Sequence, residues 1–510
     1  MEIYSIDDEN IHNVMYGETA YAKDKISTNV KYILDYVRSE EVEAGFIVVE
    51  DDYVDRDFCV DYSKYYSSTH THVSRVCRRI HFFKKPQLRD FKGPVKSSEV
   101  VRSSATLKRL FKSPSGTEKL QKLYCGFTVI DGIYKDKYGR SKGHVGRTVL
   151  RTYCGDENEC KKEGNKKRSV FHTYKQKVSL FGHELTIDSL PFTSKDEDVG
   201  MCATAALWVA QFPLMERHGG DRFSQYEITD IASKIELGEE RRFPDGLSDR
   251  QMNGFLQKRG YEVERLSVRE NNGTTIVAAI KTFVDAKIPI IATLSMRERE
   301  KCARKICADF DDDHKDDHRC EDYAKIRNDD ELDGHAVVIT GYSLDVEGKM
   351  DGIYVHDDNF GPYARVKFND GKVNVWEYKK EKEEYGDCCL VSLDALTFPI
   401  YPKIKLPYLS VLKESNTIQK NYFKDAPYEI ILIEGKKYKK EILCKNDLFD
   451  LKNKSLVTQK ILEMKMPRYI WVVRFNYEKK TLDILLDSTS IERKSIATLC
   501  LENKSTRMRS

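Results

Sequence analysis

Cys202 lies in Val199-Gly-Met-Cys-Ala-Thr-Ala-Ala-Leu-Trp208, His335 in Asp333-Gly-His-Ala-Val-Val-Ile-Thr-Gly-Tyr342, and two acids close Ile353-Tyr-Val-His-Asp-Asp358. A thiol, an imidazole and a carboxylate in that order are the parts of a nucleophilic acyl-transfer site. The thiolate attacks, the imidazole carries the proton, and the acid orients the ring. Gly200 interrupts the chain before Cys202, and Ala203-Thr-Ala-Ala-Leu-Trp-Val-Ala210 favours helix. Cys202 then falls in a first turn, where the helix dipole and unpaired backbone NH groups favour negative charge. Ala203, Ala205 and Ala206 keep that helix thin enough to approach a sheet closely. His335 opens an apolar strand that turns through Asp345-Val-Glu-Gly-Lys-Met-Asp-Gly352, and Ile353 to His356 can return antiparallel and bring an acid back beside the histidine. Asp357 and Asp358 face opposite sides of an extended chain, so only one can serve. Asp357, the first residue after the apolar strand, is the preferred third member.

The elements that must position these residues can be read from periodicity and breakers. Helices are predicted from Cys202 to Phe212, stopped by Pro213, then over Tyr226–Leu237, Leu247–Arg259 with Ser248 or Asp249 as cap, and Ile276–Ala286. Strands follow at Ile288–Ser295, at the His335 and Ile353 segments, and at Tyr363–Phe368. Helices first and an antiparallel sheet second make an α+β layout. Before it, Phe46–Glu50, Val73–Phe83 and Tyr124–Ile130 read as strands and Glu99–Phe111 as helix, an α+β accessory region. After it, Tyr428–Ile433, Tyr469–Phe475 and a hairpin into Leu482–Leu486 predict a β-rich region. With 510 residues the chain is too long for one ordinary core. The predicted division is 1–185, 186–398 and 399–510.

Composition narrows the class. Hydrophobic residues at 40% against 33% charged suit globular cores and exclude a wholly disordered chain. The 85 basic and 82 acidic side chains nearly cancel to +3, so nothing draws the whole chain to a polyanion. No apolar run reaches the roughly 20 residues that span a bilayer, and the first residues lack a basic-then-apolar leader, so a cytoplasmic protein without membrane association is expected. The 13 cysteines are scattered rather than densely spaced, so most are expected to be reduced.

The segments Gly200-Met-Cys-Ala-Thr-Ala-Ala-Leu-Trp208, Gly246-Leu-Ser-Asp-Arg-Gln-Met-Asn-Gly-Phe-Leu-Gln-Lys-Arg-Gly-Tyr261 and Gly334-His-Ala-Val-Val-Ile-Thr-Gly-Tyr342 with its following acid resemble papain-like cysteine peptidases. The resemblance is nearest to the bacterial peptidase C39-like branch, which cuts double-glycine leaders, and it covers roughly residues 186 to 395. It implies a papain-like core, hydrolysis of a peptide or isopeptide bond, and roles for Cys202 as nucleophile, His335 as base then acid, and Asp357 as orienting residue. It implies no cofactor and no metal, with a protein or peptide as substrate. The family's glutamine ahead of the cysteine, which helps hold the oxyanion, has no counterpart in Ser194-Lys-Asp-Glu-Asp-Val-Gly200. Lys195 or the backbone NH of Cys202 is left for that task. The same triad also suits transglutaminase-like or deamidating acyl transfer. Without a working oxyanion site, the chain would be a protein-binding module on a papain-like scaffold.

Two other constellations compete for attention. Cys302, Cys307, His314, His318 and Cys320 are zinc-type ligands, but their spacing matches no familiar finger and aspartates interleave them, so a solvated acidic insertion beside the cleft is expected. Residues 84 to 177 are basic, densest at Lys161-Lys-Glu-Gly-Asn-Lys-Lys-Arg168, with Tyr124, Phe127, Tyr134, Tyr138 and Tyr153 nearby. Those aromatics fall on strand patterns and are expected to pack a core, which argues against nucleic acid and for a solvated face or a protein partner bound through the accessory domains. Cys154 and Cys160 are too few to make a metal site.

Overall fold

A computed structural model of the chain describes residues 2–8, 11–17, 27–70, 72–86, 104–135, 141–153, 168–196, 198–235, 246–295, 334–368, 373, 375–378, 390–424, 426–445, 463–477, 480–491 and 495–502. The fold is mixed α+β with antiparallel sheets. It divides into two compact units, one of Met1–Phe255, Ser267–Arg269 and Pro289–Thr397, the other of Leu256–Leu266, Glu270–Ile288 and Phe398–Ser510. The sequence division put 256–266 and 270–288 in the middle region, whereas their contacts lie with the C-terminal part. The Cys302–Cys320 insertion, the basic run from Lys161 to Lys167, Cys154 and Cys160 lie outside the described residues. Among the described residues no helix is long and apolar enough to cross a membrane.

In the first unit, β1 (Glu2–Ser5), β2 (Ala44–Tyr53), β3 (Cys77–Lys84), β4 (Tyr124–Lys135) and β5 (Ser141–Leu150) form an antiparallel sheet in chain order. β3 begins at Cys77 rather than at the expected Val73, because Ser74 Oγ bonds the backbone of Val76 on both its NH and its carbonyl and bends the chain. Phe46, Val48, Phe127, Val129 and Val149 pack with Leu107, Leu110 and Phe111 of the helix Ser104–Lys112 and with Leu120 and Leu123 of the helix Thr117–Leu123. The helix Ser104–Lys112 answers to the predicted Glu99–Phe111, whose first residues lie outside the description. β6 (Arg168–Phe171) and the hairpin of β7 (Tyr174–Leu180) and β8 (His183–Ser189) follow, and Val178, Leu180, Leu185 and Ile187 join the same core.

The helix Cys202–His218 runs straight past Pro213, which the sequence reading had placed as its stop. Proline inside a helix removes one backbone bond and clashes with the preceding turn, a cost of about 3 kcal/mol. Burial offsets it. Phe212 and Leu214 are both buried, each contributing roughly 1.5–3 kcal/mol. Gln211 also exchanges two hydrogen bonds with the backbone of Phe223, at 2.9 and 2.8 Å. The helix ends at Gly219, whose φ of +74° suits glycine. The next helix, Gln225–Ser233, starts in a capping box of Ser224 and Glu227. The helix Asp249–Lys258 is capped by Ser248, which accepts from Gln251 N at 3.2 Å while Gln251 Oε1 accepts from Ser248 N at 2.9 Å.

After β9 (Glu262–Ser267) come β10 (Ile290–Ser295), β11 (Gly334–Leu344), β12 (Met350–Asp357), β13 (Gly361–Phe368), β14 (Val375–Tyr378) and β15 (Leu390–Ile400). Each of β10 to β15 pairs antiparallel with the next, and β15 pairs back on β10, so these strands close a ring. β6 continues the edge of β11 where β10 leaves it, pairing Gly341–Leu344 with Arg168–Phe171. The Cys202 helix packs on β11 and β10, as its small residues allow.

His356 ties this ring to the chain ahead of Cys202. Its Nε2 donates to Leu190 O at 3.0 Å and its Nδ1 accepts from Tyr363 N at 3.1 Å. Tyr363 Oη in turn accepts from Leu190 N at 2.8 Å. Burial pushes the His356 imidazole down to about 3. A histidine held below its unfolded value stabilises the fold at neutral pH, and that stabilisation is lost as pH falls from about 6.5 towards 3. The effect is on the order of 5 kcal/mol. Denaturant titrations at pH 7 and pH 4 should show a marked loss of stability at the lower pH, and His356→Gln should lose less between the two. Equal losses for both proteins would remove His356 as the cause.

The second unit carries the helix Gly273–Asp285 and an antiparallel sheet of β16 (Tyr428–Glu434), β17 (Tyr469–Tyr477), β18 (Lys480–Asp487) and β19 (Ser495–Glu502). Beside that sheet stand the helices Tyr408–Tyr422 and Gly435–Lys445, which the sequence pattern did not announce. In the second of these, Tyr438 and Ile442 sit one turn apart and bury against Ile470, Val472 and Leu485, a spacing masked by the lysines around them. Phe283 stacks on Phe398 at 4.0 Å, and Asp483 is buried between Arg474, at 2.7 and 2.8 Å, and Tyr438 Oη, at 2.8 Å.

Candidate active site

Cys202 is the first residue of its helix. Met201 stands at the N-cap in extended conformation and makes no side-chain cap. The first-turn NH groups of such a helix have no intrahelical acceptor, and they surround the half-buried thiol.

His335 is placed by β11, whose pairing sets Leu294 against His335 and Val338 against His356. Continuing that register sets Asp357 opposite Val337, on the face it shares with His335 and one diagonal step away. His335 Nε2 lies 3.0 Å from Asp357 Oδ1. Asp358 Oδ1 is 3.7 Å from the same nitrogen, so Asp357 is the closer acid. Cys202 is close enough to act on the imidazole and helps to hold its proton. The structure therefore brings Cys202, His335 and Asp357 together.

Burial alone would push His335 down, but the charge and hydrogen bond of Asp357, the nearby Cys202 and the charge of Asp358 together hold it well above 6.5. Burial raises Asp358 to about 6, with Asp357 adding to the rise and His335 and Lys195 opposing it. Neither carboxylate oxygen of Asp358 has a hydrogen-bond partner.

Two asparagines hold the acid turn, and sequence reasoning missed both. Asp357 Oδ1 accepts from Asn359 N at 2.9 Å, an Asx turn that fixes the carboxylate, and the Asn359 amide lies 3.3 Å from His335 Nε2. The Asp-Asp-Asn string after an apolar strand was a readable signal for that turn. Asn29, on the helix Thr28–Arg38, donates to Asp358 O at 2.8 Å and Phe360 O at 2.9 Å, and no local pattern announces so remote a contact. Gly361 follows where a side chain would strike the Tyr32 ring.

The segment ahead of Cys202 is tethered rather than open. Asp196 accepts from Tyr66 Oη at 2.5 Å, and its carbonyl accepts from Val199 N and Gly200 N at 3.0 and 2.7 Å. Gln225 donates to Ser194 O at 3.0 Å. The Asp196 carboxylate is thus bound by Tyr66. Lys195 is partly exposed, and its charge acts on Asp358.

The N-terminal part braces the same helices. Asp57 accepts from Trp208 Nε1 at 3.0 Å and pairs with Arg222 at 2.8 Å, and Asp61 accepts from Tyr226 N at 3.0 Å. No family model and no curated protein matches the chain significantly, so geometry and chemistry carry the functional reading.

Proposed function

We propose that this chain is a cysteine-type peptidase of papain-like fold that hydrolyses a peptide or isopeptide bond. The observation that carries the reading is the buried pair of His335 Nε2 and Asp357 Oδ1 at 3.0 Å, with Cys202 acting on the same ring. With Nε2 committed to the carboxylates, Nδ1 is the nitrogen that takes the thiol proton. The thiolate attacks the scissile carbonyl, the imidazolium returns its proton to the leaving amine, and His335 then takes a proton from the water that releases the acid product. Asp357 keeps the ring oriented throughout. The backbone NH of Cys202, at a helix start with no side-chain cap, is the donor best suited to the oxyanion. The mechanism calls for no cofactor. Its substrate is a protein or peptide.

Mass spectrometry of peptide mixtures incubated with the protein tests this. Hydrolysed peptides from the wild type and none from Cys202→Ser are expected. Equal processing by both would sink the reading, and cross-linked or deamidated glutamine in place of hydrolysis would move it to acyl transfer.

A further inference from the structure

Asp358 is not used by that mechanism, yet it is a carboxylate buried within the site. Its side chain is 2% exposed, and both oxygens lack hydrogen-bond partners. Such a group is costly unless a positive charge meets it. His335 Nε2 stands 3.7 Å from one of its oxygens and 3.0 Å from Asp357 Oδ1, and the ligand atoms of His335, Asp357 and Asp358 all lie within 4.8 Å of one another. A zinc-sized ion with bonds of about 2.0–2.1 Å has tetrahedral ligands about 3.3 Å apart, a spacing bracketed by those two distances.

We propose that His335, Asp357 and Asp358 form a site for a divalent first-row transition ion, which enters in place of the Nε2 proton. One imidazole and two carboxylates suit zinc and its neighbours better than the all-oxygen ions calcium and magnesium. Binding forms one metal–nitrogen and two metal–oxygen bonds, and the Nε2 proton leaves to solvent. Nδ1, left to the thiol in the mechanism above, keeps its proton, and Cys202 is not among the grouped ligand atoms. The partly exposed Lys195, which acts on Asp358, must swing towards solvent as the ion enters.

The inference stands on the carboxylate geometry and not on thiol chemistry, so binding and hydrolysis are measured apart. The full chain is titrated with Co²⁺ alone, followed by absorbance, and then with Zn²⁺ in competition. The chain has other thiols and imidazoles between Cys302 and Cys320, so the readout is the equivalent of cobalt that Asp358→Asn weakens. About a 100-fold loss of affinity for that equivalent is expected, with the same loss in Asp357→Asn and none in Cys202→Ser. Circular dichroism of each variant confirms folding. Unchanged cobalt binding in both aspartate variants would overturn the site. Loss of the equivalent in Cys202→Ser, with a thiolate-to-cobalt band in the wild type, would overturn it too, by placing the ion between Cys202 and His335. Binding as expected by a protein that hydrolyses nothing would leave the site standing and the peptidase reading fallen.

Discussion

Alkylation of Cys202 by iodoacetamide at pH 6 is expected to slow about 100-fold in His335→Ala. An ordinary thiol is well under about 1% ionised at that pH, whereas a thiol beside a base that holds its proton reacts as thiolate. His335 is such a base, because Asp357, Asp358 and the Cys202 contact outweigh the burial that would otherwise discharge it. The wild-type rate should exceed that of His335→Ala throughout pH 6 to 8, because only the wild type has the base that takes the thiol proton. Rates that rise alike in both proteins would mean that His335 does not hold the proton, and the catalytic proposal would fail with it.

Asp357→Asn should lower hydrolysis at neutral pH by about 10²-fold or more, with a change in the pH profile that a merely structural role would not produce. The sign follows from the charges. Asp357 raises the His335 value through both its charge and its hydrogen bond, so replacing it with a neutral amide lets burial pull the ring down. The alkaline limb of the rate profile, where the imidazolium is lost, must move to lower pH. Asp358, 3.7 Å away, retains part of the effect, so its own Asn variant should move the limb less. A larger movement in Asp358→Asn than in Asp357→Asn would reverse the assignment of the two acids.

The nearness of His335 and Asp357 was more legible in the sequence than the architecture around them. Cys202, His335 and Asp357 each stand at the end of an element whose local pattern is strong: alanine-rich helix, apolar strand, apolar strand with an acid behind it. Residues further along each element announced the others. What could not be read was whatever depended on distant partners. The Cys202 helix continues through Pro213 because Phe212 and Leu214 are buried, a tertiary gain that overrides a local cost. Asn29 reaches the Asp358 turn from the far end of the chain, and Gln225 braces Ser194 from a helix that comes after Cys202. That Ser194–Gly200 holds no glutamine was visible. That Tyr66 binds the Asp196 carboxylate was not.

Asp57 and Asp61, tied to Trp208, Arg222 and Tyr226, have a further consequence. These bonds, with β6 paired on β11, hold the described N-terminal elements and the Cys202 helix within one compact unit. Excising residues 186–395 alone would strip Trp208 and Arg222 of their acceptor Asp57 and leave the β11 edge bare. Inherited variation at Asp57, far along the chain from the thiol, would then register first as a loss of folded protein.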